Sequence, residues 1–206
     1  MKKRIIIGQY RLCDFITMTS TLSAIVGIIL ALHGHTNIPF LLLFVSCICD
    51  GIDGLVARRR KNTEFETSYG VELDSLSDMI AFGIFPIVLA LTTVKYDIIS
   101  YVLPFYGLAG LIRLTYFNAL HINKMSDKGY FRGVPITTIS MIYPFFYFIK
   151  ACNIEAYSIA TIILFSLLAI LFVTNIKVKK PNWDAILKCI FHKNDKQNDS
   201  KKKRKK

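Results

Sequence analysis

Asp50, Asp53, Asp74 and Asp78 lie in the run CDGIDGLVARRRKNTEFETSYGVELDSLSD, two near the end of one apolar stretch and two at the start of the next. Helical spacing makes them a constellation. Asp50 and Asp53 are three residues apart and Ala57 follows four after Asp53, so one helical face carries all three. Gly70, Asp74 and Asp78 recur every fourth residue and form a second stripe. If the first helix ends near Arg58, a rise of about 1.5 Å per residue puts Asp53 roughly 7 Å and Asp50 roughly 12 Å from that end. A second helix starting at Gly70 puts Asp74 roughly 6 Å and Asp78 roughly 12 Å from its own end. The two pairs are expected to meet at matching depth.

Electrostatics then constrains the chemistry. Two like charges about 4 Å apart repel by about 4 kcal/mol at an effective dielectric near 20. Four converging carboxylates must therefore take up protons or divalent cations. A donor set of hard oxygens, without histidine or thiolate, favours Mg²⁺ or Mn²⁺ over zinc. Four carboxylates suffice for two such ions, and a two-ion clamp suits phosphoryl displacement. Gly54, Ala57 and Gly70 beside the acids allow helices to approach closely and a flat ligand group to reach the backbone. Arg58 is placed to fork onto a phosphate.

The elements that must position these residues are membrane helices. The chain has 206 residues, 53% of them hydrophobic, with a mean hydropathy of +0.43. Six apolar stretches, near 13–33, 37–57, 70–94, 97–121, 134–150 and 154–177, approach the roughly 20 residues that cross a bilayer. They predict an all-α integral membrane protein of six transmembrane helices with a polar cavity on the cytoplasmic side, plus short interfacial helices. In a bilayer each buried carboxylate costs roughly 2.5–3.5 kcal/mol, so the four aspartates read as functional.

The net charge of +12 is a topology signal. Residues 2–11, 58–61, 124–132 and 177–206 hold 23 of the 26 lysines and arginines. Lys95 and Lys150 lie in the opposite loops, and Arg113 lies inside a span. This positive-inside pattern places both termini in the cytoplasm and predicts no nucleic-acid partner. The basic start and first apolar run lack an A-x-A site, so the run is read as a retained span. The five cysteines are read as small packing residues.

The chain divides into an N-terminal segment (1–12), a six-helix catalytic domain (13–178) and a basic tail (179–206). In the tail, Trp183, Ile186, Leu187, Ile190 and Phe191 line one helical face, as expected of a helix lying in the membrane interface. The closing KKKRKK is read as drawn to anionic lipid headgroups. Arg113 has two open readings, a ligand for an anion or a counter-charge to a carboxylate. Glu72 and the four histidines are read as interfacial. A divalent-cation transporter is the rival class. Such a pathway would place acids at several depths, whereas these cluster at one end.

The motif Asp50-x2-Asp53-Gly54-x2-Ala57-Arg58, followed by Gly70-x3-Asp74-x3-Asp78, resembles the CDP-alcohol phosphotransferase signature D-x2-D-G-x2-A-R…G-x3-D-x3-D, with all eight signature residues present. The resemblance implies a six-helix membrane enzyme, commonly a homodimer, that cleaves a CDP-linked substrate and releases CMP as an alcohol attacks the retained phosphate. It implies that Asp50, Asp53 and Asp74 are metal ligands. Asp78 would be the general base and also touch the second ion. Gly54, Ala57 and Gly70 would shape the cytidine and pyrophosphate site, with Arg58 near phosphate.

Three further runs are similar to the serine-accepting bacterial branch of that family. They are Glu72–Pro86 (ELDSLSDMIAFGIFP), Arg113–Asn118 (RLTYFN) and the stretch from Phe131 through Gly133 to Pro135 (FRGVP). This similarity implies CDP-diacylglycerol and L-serine as substrates and a bacterial inner membrane as the location. It leaves inositol, inositol phosphate, glycerol phosphate and choline as alternative acceptors. Arg113 or Arg132 would hold the serine carboxylate and Asn118 would orient it. The chain departs from the family pattern in three places. Eleven residues separate Arg58 from Gly70, longer than is usual. The early P-N…T…N pattern is here Cys13-Asp14…Thr17…Ser20, and the second arginine of RLARFN is Tyr116.

Overall fold

A computed structural model describes residues 11–57, 63–122, 130–132, 134–175 and 177–179. The N-terminal segment before Arg11 and the amphipathic tail lie outside the described residues, as does Arg58.

The described residues are helical apart from one short ladder. In chain order the helices are α1 (Leu12–Leu32), α2 (Asn37–Ala57), α3 (Glu64–Asp78), α4 (Phe85–Thr93), α5 (Ile99–Ile122), α6 (Thr138–Ile142), α7 (Phe146–Cys152) and α8 (Ile154–Val173). A π-helical segment, Met79–Ile84, joins α3 to α4 without a break, and a 3₁₀ turn, Tyr143–Phe145, joins α6 to α7. Two three-residue strands, β1 (Tyr130–Arg132) and β2 (Lys177–Lys179), pair antiparallel.

Local chemistry explains the boundaries. Gly34, at φ +83°, ends α1 in the left-handed conformation that glycine adopts most easily. α3 starts at Glu64, six residues before the expected Gly70. Thr63 caps it, accepting from the Glu66 backbone N–H while the Glu66 carboxylate accepts from the Thr63 N–H. The stretch expected as one span at 134–150 is broken at Pro144, which cannot donate to an α-helical ladder. Asn153 opens α8 by accepting from the Glu155 and Ala156 N–H groups.

Four helical runs are long and apolar enough to cross a membrane: Cys13–Leu32, Asn37–Gly54, Phe65–Thr93 and Ile154–Val173. α5 has the length, 24 residues, but its tyrosines, Pro104 and Arg113 make it less apolar. Thr138–Cys152 is shorter. Large apolar side chains such as Leu22, Ile29, Leu41, Phe105, Ile163 and Ile170 stand exposed on the outside of the helices. That surface suits lipid, and the protein is a multi-pass membrane protein.

Inside, small residues bring helices together. Ser20 and Ser46 each donate a hydroxyl to the other's carbonyl at 3.1 Å, tying α1 to α2. A Cβ on Gly27 would overlap the Phe85 ring, so glycine is what admits α4 against α1. Away from the aspartates, Phe40, Tyr143, Tyr157 and Phe165 form an aromatic core. The Tyr157 hydroxyl joins those of Thr93 (2.6 Å) and Tyr143 (2.7 Å), so its polar atom is satisfied.

Candidate metal centre

The aspartates are brought together by the last turns of α2 and of α3. One carboxylate oxygen from each of Asp50, Asp74 and Asp78 lies within 4.8 Å of the others. Asp50 of α2 thus stands within that distance of Asp78 at the end of α3. Two carboxylates that close must share a proton or a cation. Asp53, the fourth, is buried and turned toward α1, where the Thr17 hydroxyl donates to its Oδ2 at 2.6 Å.

α1 is a working wall of the site, a role that the aspartate spacing alone did not disclose. The Thr17 hydroxyl also reaches the Cys13 carbonyl at 3.1 Å. Its single hydrogen goes to the shorter, charge-assisted partner, Asp53. The Ser77 hydroxyl donates to the Thr17 carbonyl at 3.2 Å and touches the Thr21 hydroxyl, linking α1 to α3 beside Asp78. One turn nearer the end of α1, the Asp14 carboxylate accepts from Arg11 Nε at 3.1 and 3.2 Å and from Nη2 at 2.7 Å. These hydrogen bonds raise the Arg11 guanidinium above its ordinary pKa. In the sequence these residues stand out only as Cys13-Asp14…Thr17…Ser20, a departure from the family's early P-N…T…N pattern.

The two glycines behave differently. A Cβ on Gly54 would meet no described atom within 4 Å, so that side of α2 is open to a ligand. A Cβ on Gly70 would overlap the Arg11 guanidinium, with Cζ 2.8 Å away. Ala57 is the last residue of α2.

Arg113 is buried on α5, its guanidinium stacked 4.6 Å over the Phe117 ring. The Asn118 side-chain oxygen accepts from Ser75, the neighbour of Asp74, at 2.8 Å. α5 is helical throughout, which holds Arg113 and Asn118 about 140° apart around its axis. Arg132 lies in β1, in register with Lys177.

The donor set fits a hard divalent cation. It consists of carboxylate oxygens, close enough for one ion to bind three of them and lined on the α1 side by hydroxyls. Asp50, Asp74 and Asp78 would hold it.

The chain is similar to known proteins. An enzyme of Methanocaldococcus jannaschii named CDP-diacylglycerol–serine O-phosphatidyltransferase is 29% identical over 170 residues, covering 82% of this chain and 74% of its own. The Helicobacter pylori protein of the same name is 34% identical over 166 residues, covering 73% of this chain and 66% of its own. An archaetidylserine synthase of Methanothermobacter thermautotrophicus is 31% identical over 132 residues, 63% of this chain and 56% of its own. This chain therefore spans little more than half of one relative and about three quarters of another. The family model for CDP-alcohol phosphatidyltransferase matches residues 10–177, a stretch that includes every aspartate of the site, and the chain belongs to that family.

Proposed function

We propose that the protein transfers a phosphatidyl group from CDP-diacylglycerol to the hydroxyl of L-serine, giving phosphatidylserine and CMP. The observation that carries the reading is the meeting of Asp50, Asp74 and Asp78 within 4.8 Å at one end of the helices. The relatives support serine in particular. Their names differ in the lipid, phosphatidyl or archaetidyl, and agree in serine.

The chain's residues divide the work. Gly54 leaves α2 open for the nucleotide, Ala57 closes the helix, and Arg58, next in the sequence, meets phosphate. Asp50, Asp53, Asp74 and Asp78 hold two Mg²⁺ or Mn²⁺ ions, which when bound offset the negative charge on the phosphoryl and leaving oxygens. The serine oxygen attacks the lipid-linked phosphorus, the bond from that phosphorus to the CMP oxygen breaks, and Asp78 takes the hydroxyl proton. Arg113 or Arg132 holds the serine carboxylate. Asn118, tied to Ser75, keeps α5 beside Asp74.

Six spans with both termini in the cytoplasm are the topology that we infer from the charge pattern, in a bacterial inner membrane and as a homodimer. The basic tail then meets anionic headgroups on the side where CMP is released.

The test is CMP release from purified membranes supplied with CDP-diacylglycerol, Mn²⁺ or Mg²⁺ and a panel of alcohols. Release that requires serine and falls at least a thousandfold in Asp78→Asn is the expected result. Release with inositol or glycerol phosphate in place of serine overturns the acceptor assignment. Cation flux without CMP overturns the transferase reading.

A further inference from the structure

Arg11 stands at the start of α1, where the basic N-terminal segment meets the first apolar run. Capping α1 requires only Asp14, whose carboxylate accepts the Arg11 backbone N–H at 2.9 Å. The guanidinium donates to the same carboxylate from its far end, and its side chain is only 9% exposed. Fixing so long a side chain costs about 2 kcal/mol of rotamer entropy. A buried ion pair is weak evidence for stability, and its best-attested use is to fix register. What Arg11 touches fits such a use. Its guanidinium lies on Gly70 of α3, in space that any Cβ at that position would fill. Gly70 is one turn before Asp74 on the acidic stripe. Arg11 is six residues, about 9 Å, before Thr17, which holds Asp53. α1 thus reaches α3 through Arg11 and α2 through Thr17, on the two sides of the carboxylates.

We propose that Arg11 is a positioning residue for the cation site. Held by Asp14 and seated on Gly70, it sets the approach of α1 to α3, and with it the reach of Thr17 to Asp53. This rests on the reading of the aspartates as cation ligands, and it gives Gly70 a further task, to admit a guanidinium from the neighbouring helix.

Electrostatics and positioning predict opposite signs, which makes the proposal testable. Arg11→Gln removes a positive charge and leaves Asp14 unpaired near the site. Through-space attraction alone would then tighten Mn²⁺ binding. Loss of positioning weakens it, by about tenfold if Arg11 acts as outer-shell ligand supports do. The measurement is Mn²⁺ binding to the purified full chain in nanodiscs, by calorimetry or by the resonance signal of free Mn²⁺, with the melting temperature read in parallel. Arg11→Lys and Gly70→Ala keep every charge of the site and are expected to weaken binding likewise, so the test stands even if Arg11→Gln does not fold. Asp50→Asn is the control and should abolish binding. If the wild type binds Mn²⁺ through Asp50 but the Arg11 and Gly70 variants bind equally well or more tightly, the positioning role is overturned and the metal reading survives. Affinity losses that merely track melting temperature across the variants also overturn it. If the wild type shows no Asp50-dependent binding, the metal reading falls and takes the positioning role with it.

Discussion

Thr17→Val replaces the hydroxyl that holds Asp53 with a methyl of nearly the same size, so packing is kept while one hydrogen bond is lost. That bond is short, 2.6 Å, buried, and made to a group read as a cation ligand. Hydrogen bonds to charged groups contribute about 1.5–3 kcal/mol in soluble proteins. Between membrane helices the measured average is nearer 0.6 kcal/mol, with a maximum of about 1.7. Since about 1.4 kcal/mol is a factor of ten, the membrane values span roughly threefold to twentyfold. Losing a support behind a metal ligand costs about 10- to 100-fold, a range that overlaps that window near tenfold to twentyfold. The expected result is a loss of about tenfold in Mn²⁺ affinity and in kcat/KM for CMP release, with KM for serine unchanged. Thr17→Ser keeps the hydroxyl and should stay within about threefold of wild type. If Thr17→Val changes Mn²⁺ affinity by less than twofold, or if Thr17→Ser is equally impaired, α1 does not orient Asp53 and the account of the site's α1 wall fails.

Gly54→Ala adds a methyl that meets no described atom and removes a helix-interior glycine, so α2 should be steadied by about 0.5–1 kcal/mol. The melting temperature is expected to hold or rise while CDP binding weakens severalfold, and a fall in melting temperature would show that the space beside Gly54 belongs to another helix. Tyr106→Phe removes the hydroxyl that donates to the Phe82 carbonyl at 2.6 Å. Leaving that buried carbonyl short of a donor should cost about 1–3 kcal/mol, read as a lower melting temperature in detergent. An unchanged melt would mean that water or a shifted backbone amide replaces the hydroxyl.

The aspartate site was legible in the sequence because its logic is local. Asp50 and Asp53, and Gly70, Asp74 and Asp78, are related by helical periodicity, which survives any error in tertiary reasoning. The apolar stretches gave the helices for the same reason. The start of α3 was also readable, since Thr63 and Glu66 form the S/T-x-x-E pattern of a capping box, a stronger signal than the onset of apolarity near Gly70. What could not be read depends on which helices become neighbours. Thr17 is 36 residues from Asp53, and Ser77 is 60 from Thr17. Nothing in the spacing of either residue names its partner. The pairing of Tyr130–Arg132 with Lys177–Lys179 is non-local too, and its six residues are too few to show a strand period.

The π-helical segment shows how a local flaw becomes part of the site. Pro86 lacks the N–H that an α-helix would give to the Phe82 carbonyl, four residues back. The chain widens its turn over Met79–Ile84, where the Phe85 N–H reaches Ile80, and the Tyr106 hydroxyl from α5 supplies the donor for Phe82. Asp78 is the last α-helical residue before this widening. Everything before it on α3 keeps the fourfold stripe of Gly70, Asp74 and Asp78, and everything after it is rotated relative to that stripe. A residue four beyond Asp78, Phe82, is thereby buried against α5 instead of extending the acidic face. The proline marks the depth at which the acidic face stops and the packed aromatic interior begins. An ion entering along the stripe would find its last oxygen at Asp78, the residue proposed above to take the alcohol's proton.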